Sequence, residues 1–196
     1  MAIGILLELE AQSCKRIYAL RRKYDNPAPF VVDALRGLVS TKENFNLLKR
    51  ALPGIAAKHA PFEMELYDPH RTNSTRGIGV KYRLQSQGLW GLRRDLQAKL
   101  ADATIFSTVL RREKGAMMSL RQNKVLDPRS FPNRINVSVK TKLADAAEAN
   151  RILEEVRKID PKTLGKIRAT GLSVQWQRTR DEPFQNEELY PFLRKS

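Results

Sequence analysis

Few side chains in this 196-residue chain offer acid–base, nucleophilic or metal-binding chemistry, since it holds two histidines and one cysteine. His70 stands in Asp68-Pro-His-Arg-Thr-Asn-Ser-Thr-Arg-Gly77, a composition that predicts an exposed turn between two strands. His59 closes Lys58-His-Ala60 ahead of Pro61 and reads as a histidine at a helix end. Two imidazoles without a cysteine cluster are too few ligands for a metal site, so no metal or other cofactor is expected. Cys14 cannot form an internal disulfide; it reads as a small helix residue in a reducing compartment. Gly77-Ile-Gly79 lacks the Lys-Ser/Thr ending of a phosphate-binding loop and is expected to open a strand.

Positive charge is the stronger signal. The chain carries 36 Lys and Arg against 21 Asp and Glu, a formal +15. Residues 66–134 hold 14 basic and 5 acidic side chains, so the middle third carries most of the field. Such a surface attracts polyanions, nucleic acid first and an anionic membrane face second. Between residues 109 and 134 stand Arg111, Arg112, Lys114, Arg121, Lys124, Arg129 and Arg134, interleaved with Met117, Met118 and Leu120. Arginine suits forked contact with phosphate, and the apolar residues would let the segment dock. The competing reading is a solvated loop that happens to be basic. Further on, Lys140 and Lys142 share a strand with Asn136 and Ser138, and period-two alternation predicts all four on one face. That face is either a binding groove or an exposed polar strand surface.

The elements follow from periodicity. Ala2–Glu10 reads as a strand without a secretory leader's charged start or cleavage site. A helix follows over about 11–24, ended by Asp25-Asn-Pro-Ala-Pro29. Residues 30–40 are ambiguous, with a short strand as the reading on offer, and a helix from Thr41 is expected to kink or end at Pro53-Gly54. Phe62–Tyr67 and Ile78–Leu84 alternate as strands, and 88–101 is helical. Residues 103–133 read as a long basic loop containing a short helix. Ile135–Val139 is a strand, Ala144–Lys158 a helix, and Ile167–Gln177 a strand interrupted by Gly171. No apolar run reaches the roughly 18 residues of a membrane span, so no membrane insertion is expected.

In this order the pieces resemble the 2H phosphoesterase superfamily, which includes 2′–5′ RNA ligase-like proteins and cyclic phosphodiesterases. The likeness rests on Asn136-Val-Ser-Val-Lys-Thr-Lys142, an Ala- and Glu-rich helix, Arg168-Ala-Thr-Gly-Leu172 and Tyr190-Pro-Phe192. Leu20-Arg-Arg-Lys-Tyr24, Ala60-Pro-Phe62 and Gly79-Val-Lys-Tyr-Arg-Leu84 extend it over nearly the whole chain. The resemblance implies two His-x-Thr/Ser motifs facing one cleft, one histidine as base and the other as acid. This chain departs from both. The second motif falls on Asn136 and Ser138; the first falls on Asp33 and Leu35, or in a competing register on Phe45 and Leu47. Asn cannot exchange a proton near neutral pH, and Leu cannot hydrogen-bond phosphate. His70-Arg-Thr72 matches the motif literally, but in an expected turn.

The expectation is therefore a single α+β domain over 1–196, made of two pseudo-symmetric lobes of antiparallel sheet with flanking helices and a basic insert at 103–133. Its expected function is non-catalytic RNA binding as a subunit of a ribonucleoprotein such as the mitochondrial ribosome. The partners would be ribosomal RNA and neighbouring subunits, with no small-molecule substrate. The compartment would be the mitochondrial matrix, otherwise the cytoplasm. The alternatives are a divergent cyclic-phosphate or 2′–5′ phosphodiesterase using Asp33 or His70, and an interaction module for an acidic protein or membrane.

Overall fold

The computed structural model describes residues 2–26, 30–39, 42–74, 77–102, 110–113, 116–119, 136–177 and 185–193. In chain order these form β1 (Ala2–Leu9), α1 (Ala11–Lys23), β2 (Val32–Val39), α2 (Lys42–Ala56), β3 (Phe62–Ser74) and β4 (Gly77–Gln85). Then come α3 (Gln87–Asp102), β5 (Leu110–Glu113), β6 (Ala116–Ser119), β7 (Asn136–Leu143), α4 (Ala146–Arg157), β8 (Ile167–Gln177) and β9 (Gln185–Pro191). A short 3-10 helix, Pro161–Leu164, precedes β8. Every pairing among the described strands is antiparallel.

The strands join in the order β6-β5-β2-β1-β8-β3-β4-β7, with β9 also on β8. One strand links the two halves: Phe62–Met64 of β3 pair with β8, whereas Glu65–Ser74 pair with β4. In the first half, Ile3, Ile5 and Leu7 of β1 register with Trp176, Val174 and Leu172 of β8. All of these but the half-buried Trp176 are buried, and α2 packs on β8 and β9 while α3 packs on β2 and β3. In the second half, Val80, Tyr82 and Leu84 of β4 and Val137 and Val139 of β7 are buried, as are Ala149, Ile152, Leu153 and Val156 of the overlying α4. The α4 stripe has the three- and four-residue spacing of one helix face, and Asp145 caps its start by accepting from the Ala147 and Glu148 amides at 2.8 and 3.3 Å.

The ambiguous segment 30–40 contains the strand offered for it, β2. Four local expectations are corrected. Helix α2 runs through Pro53 to Ala56: the proline is exposed, while Leu52, Ile55 and Ala56 hold the last turn against the core. The stretch 68–74 is strand, not turn, so His70 lies inside β3. Within the basic segment, 110–119 contributes a pair of strands, β5 and β6, that extends the sheet from β2, where a loop with a short helix was expected. Gly171 does not break β8; a Cβ there would stand 2.6 Å from the Tyr190 carbonyl oxygen of β9, so only glycine lets the two strands close.

Candidate nucleic-acid interface on the β4–β7 strands

Asn136 and Ser138, where the resemblance sets the second motif, lie at the start of β7. Registered partners across an antiparallel pair share a face, and here Arg83 stands opposite Asn136, Tyr82 opposite Val137 and Lys81 opposite Ser138. Tyr82 and Val137 turn toward α4, where the Tyr82 hydroxyl donates to the Val156 carbonyl at 3.2 Å. Lys81, Arg83 and Ser138 are half-buried on the other side, with Lys81 in register with Ser138 and Arg83 Nε 2.9 Å from Asp68 Oδ2.

Alternation does not carry on to Lys140 and Lys142. The β4–β7 register slips between Val80 and Lys81 and again between Ile78 and Val80, so Lys140 falls opposite buried Val80. Each slip adds a residue to β7 and breaks the period-two pattern. The Lys140 ammonium donates to the Asp25 carbonyl at 3.2 Å, and Lys142 is exposed at φ +61°. Next to Asp25, the Asn26 amide donates to the Val139 carbonyl at 2.8 Å and the Ser138 carbonyl at 3.4 Å. The end of α1 is thereby fastened to the outer edge of β7. A second tie joins α1 to α4, where the Tyr24 hydroxyl donates to Glu155 Oε2 at 2.9 Å. Burial, with the Glu155 carboxylate beside it, pushes Tyr24 up to about 12, and the same hydrogen bond holds the Glu155 carboxyl below its ordinary value.

Of the two registers for the first motif, one places it on β2, with Asp33 opposite Leu6 and Leu35 opposite Ile5. Phe45 and Leu47, the competing register, lie on helix α2, and Phe45 is buried in the core. Between Asp33 and Leu35, the Ala34 carbonyl accepts from Nε of buried Arg93 at 3.0 Å. Four strands separate β2 from β7 in the sheet order. Arg111 and Arg112 occupy β5, registered with Met118 and Met117; Lys114, Arg121, Lys124, Arg129 and Arg134 lie outside the described residues.

Among the described residues, no three His, Cys, Asp or Glu side chains are grouped to hold a metal. His59 Nε2 lies 3.0 Å from Asp95 Oδ2, tying the end of α2 to α3. Two adjoining cavities of about 530 and 540 Å³ share Glu65, Gln85 and Lys166. Their charges answer one another, with Lys166 Nζ 3.0 Å from Glu63 and 3.4 Å from Glu65. Sequence reasoning missed Lys81 and Arg83 because both sit in an ordinary alternating strand, and only the register reveals their neighbour.

The chain is similar to several solved structures at low sequence identity. The crystal structure of TT0787 from Thermus thermophilus matches with a TM-score of 0.60 at 10 % identity, covering 98 % of each chain. One described as a phosphoesterase matches at 0.58 and 12 % identity, again over 98 % of both chains. Escherichia coli LigT, solved in complex with 3′-AMP, matches at 0.56 and 13 % identity over 98 % of both chains. The chain therefore has the α+β fold of the 2H phosphoesterases, an antiparallel sheet with, among the described residues, four α-helices packed on it. No family model matches the sequence, and no curated protein matches it.

Proposed function

We propose that this chain is an RNA-binding protein that uses the 2H phosphoesterase fold without its hydrolytic chemistry. The observation that carries the reading is the β4–β7 register. Lys81 and Arg83 stand beside Ser138 and Asn136, where phosphate is to be held, while neither Asn136 nor the Asp33–Leu35 pair offers an imidazole to exchange protons. The +15 charge supplies the sequence-independent attraction to a phosphate backbone. A ribonucleoprotein subunit is the role that fits a small, basic, non-hydrolytic chain, and the mitochondrial ribosome in the matrix is the assembly we assign to it.

The test is RNA affinity measured across a salt series, beside an Arg111→Ala, Arg112→Ala, Lys114→Ala triple variant. Each lost contact to single-stranded RNA lowers the log–log slope by about 0.7, so three engaged residues lower it by about 2. A wild-type protein without RNA affinity at low salt overturns the reading. Co-sedimentation with ribosomal particles, reversed only at high salt, tests the assembly; migration at the top of a low-salt gradient removes it. One observation favours a second reading, a divergent phosphodiesterase: His70 lies in a strand on the same sheet as Ser138. Turnover of a 2′,3′-cyclic phosphate that His70→Gln abolishes would establish it.

A further inference from the structure

Strand β9 pairs with β8, and among the described residues no strand pairs with its other edge. Just past its end, the Phe192 amide donates to the Thr170 carbonyl at 2.8 Å, which fixes the sense of the ladder. Hydrogen-bonded residues alternate along an antiparallel pair. The Leu189 amide and carbonyl, the Pro191 carbonyl and the Leu193 amide therefore turn outward. Pro191 agrees with an open edge, because the amide it lacks is one that β8 would not have used. The outer edge of β7, by contrast, is occupied by Asn26.

The two sides of this edge differ in chemistry. Tyr190 and Phe192 are buried on one side, where Tyr190 registers with buried Leu172 and the Phe192 ring lies 5.5 Å from that of Phe62. Exposed Glu188 stands on the same side, its Oε2 accepting from the Tyr190 hydroxyl at 3.4 Å. On the other side Leu189 and Leu193 are 56 % and 54 % exposed, with exposed Pro191 between them. Charge is as uneven. Residues 181–193 include Asp181, Glu182, Glu187 and Glu188 but no lysine or arginine, in a chain of net charge +15. Natural strand edges are commonly guarded by lysine. Here acids take that place, and they admit a basic strand while turning an acidic one away.

We propose that the outer edge of β9 receives an extended segment of a partner protein whose residues alternate apolar and basic. The main chain of that segment adds a strand to the ladder. Its apolar side chains cover Leu189 and Leu193, and its lysines or arginines face Glu188. Residues bonded across an antiparallel pair share a face, so the apolar residues are the ones whose amides meet the edge. A second copy presenting its own β9 would bring like charges together. The inference goes beyond RNA binding and does not rest on it, since the ligand is a protein strand.

The experiment uses the full chain freed of nucleic acid and a fluorescent peptide, acetyl-Val-Lys-Val-Lys-Val-Lys-amide. In the chain alone, the Leu189 and Leu193 amides should exchange with solvent faster than those of Tyr190 and Phe192, and the peptide should slow them. A Leu189 amide already protected without peptide overturns the proposal, because the edge is then covered. By anisotropy the peptide should bind about 10-fold more tightly than its Val-Glu counterpart, although the net charge alone favours the latter. N-methylation of the valines should abolish binding. Leu189→Pro, which removes an outward amide, should weaken it about 5-fold, with thermal melts checking that the variant folds. Absence of binding, or binding unchanged by N-methylation or in folded Leu189→Pro, overturns the docking edge. Self-association of the chain that Leu189→Pro abolishes puts a second copy on the edge and also overturns it. RNA affinity should be the same in Leu189→Pro and wild type, so either reading can fail while the other stands.

Discussion

Asn26 shows how much one side chain can hold. Its amide spans the Ser138 and Val139 carbonyls, closing the outer edge of β7 where no further strand is paired among the described residues. Asn26→Ala leaves buried acceptors unmet and should cost about 1–3 kcal/mol in urea denaturation; unchanged stability would show that water replaces the amide. The tyrosines give a pH signature. Burial raises Tyr24 and Tyr82 to about 12, so both fold most favourably as neutral phenols. Their contribution is whole below the ordinary tyrosine value of about 10 and is lost as pH climbs toward about 12. Melting temperature should therefore fall across that window, less steeply in Tyr82→Phe. Glu155 acts in the opposite direction: its lowered carboxyl adds stability above the ordinary glutamate range and loses it as pH falls through the lowered value. Tyr24→Phe should weaken that acid-side dependence, leaving the part that Arg151 and Lys23 supply. Cys14 is buried and its thiol pushed up mainly by burial, so a thiol reagent should label it only as the chain unfolds.

At the scale of elements, the β8–β9 contact makes the sharpest demand. Gly171→Ala forces a methyl group against the Tyr190 carbonyl and should cost about 1–3 kcal/mol; calorimetry showing no loss would mean that β9 can move away. The sequence made strongly periodic elements legible. The Ala149, Ile152, Leu153 and Val156 stripe marked α4, and the apolar run of Ala2–Leu9 marked β1. It misled where local chemistry and tertiary packing disagreed. Asp68-Pro69 has turn composition, yet β4 and β7 on one side of the sheet recruit it as an irregularity in a long strand. Pro53 is a helix breaker by itself, but buried Leu52 and Ile55 on either side outweigh one missing amide. The motif strand β7 was read from Val137 and Val139. What the sequence hid was its register, which replaces Lys140 with Lys81 and Arg83 as the neighbours of Ser138 and Asn136.

For the whole molecule, charge and connectivity act on different properties. The +15 field governs encounter with polyanions and weakens with salt, since screening shortens its reach to about 8 Å at physiological ionic strength. Association with RNA should accordingly slow as salt rises, while folding midpoints change little, because the described ion pairs join largely exposed groups. Stopped-flow rates and melting curves over one salt series separate the two effects. Connectivity rests on β3, whose first residues belong to the ladder of β8 and whose remainder belongs to that of β4. Opening the two halves like a jaw would shear hydrogen bonds along a continuous strand. The amides of β1 and β4, on either side of the seam, should then exchange with solvent through a single cooperative event of one free energy.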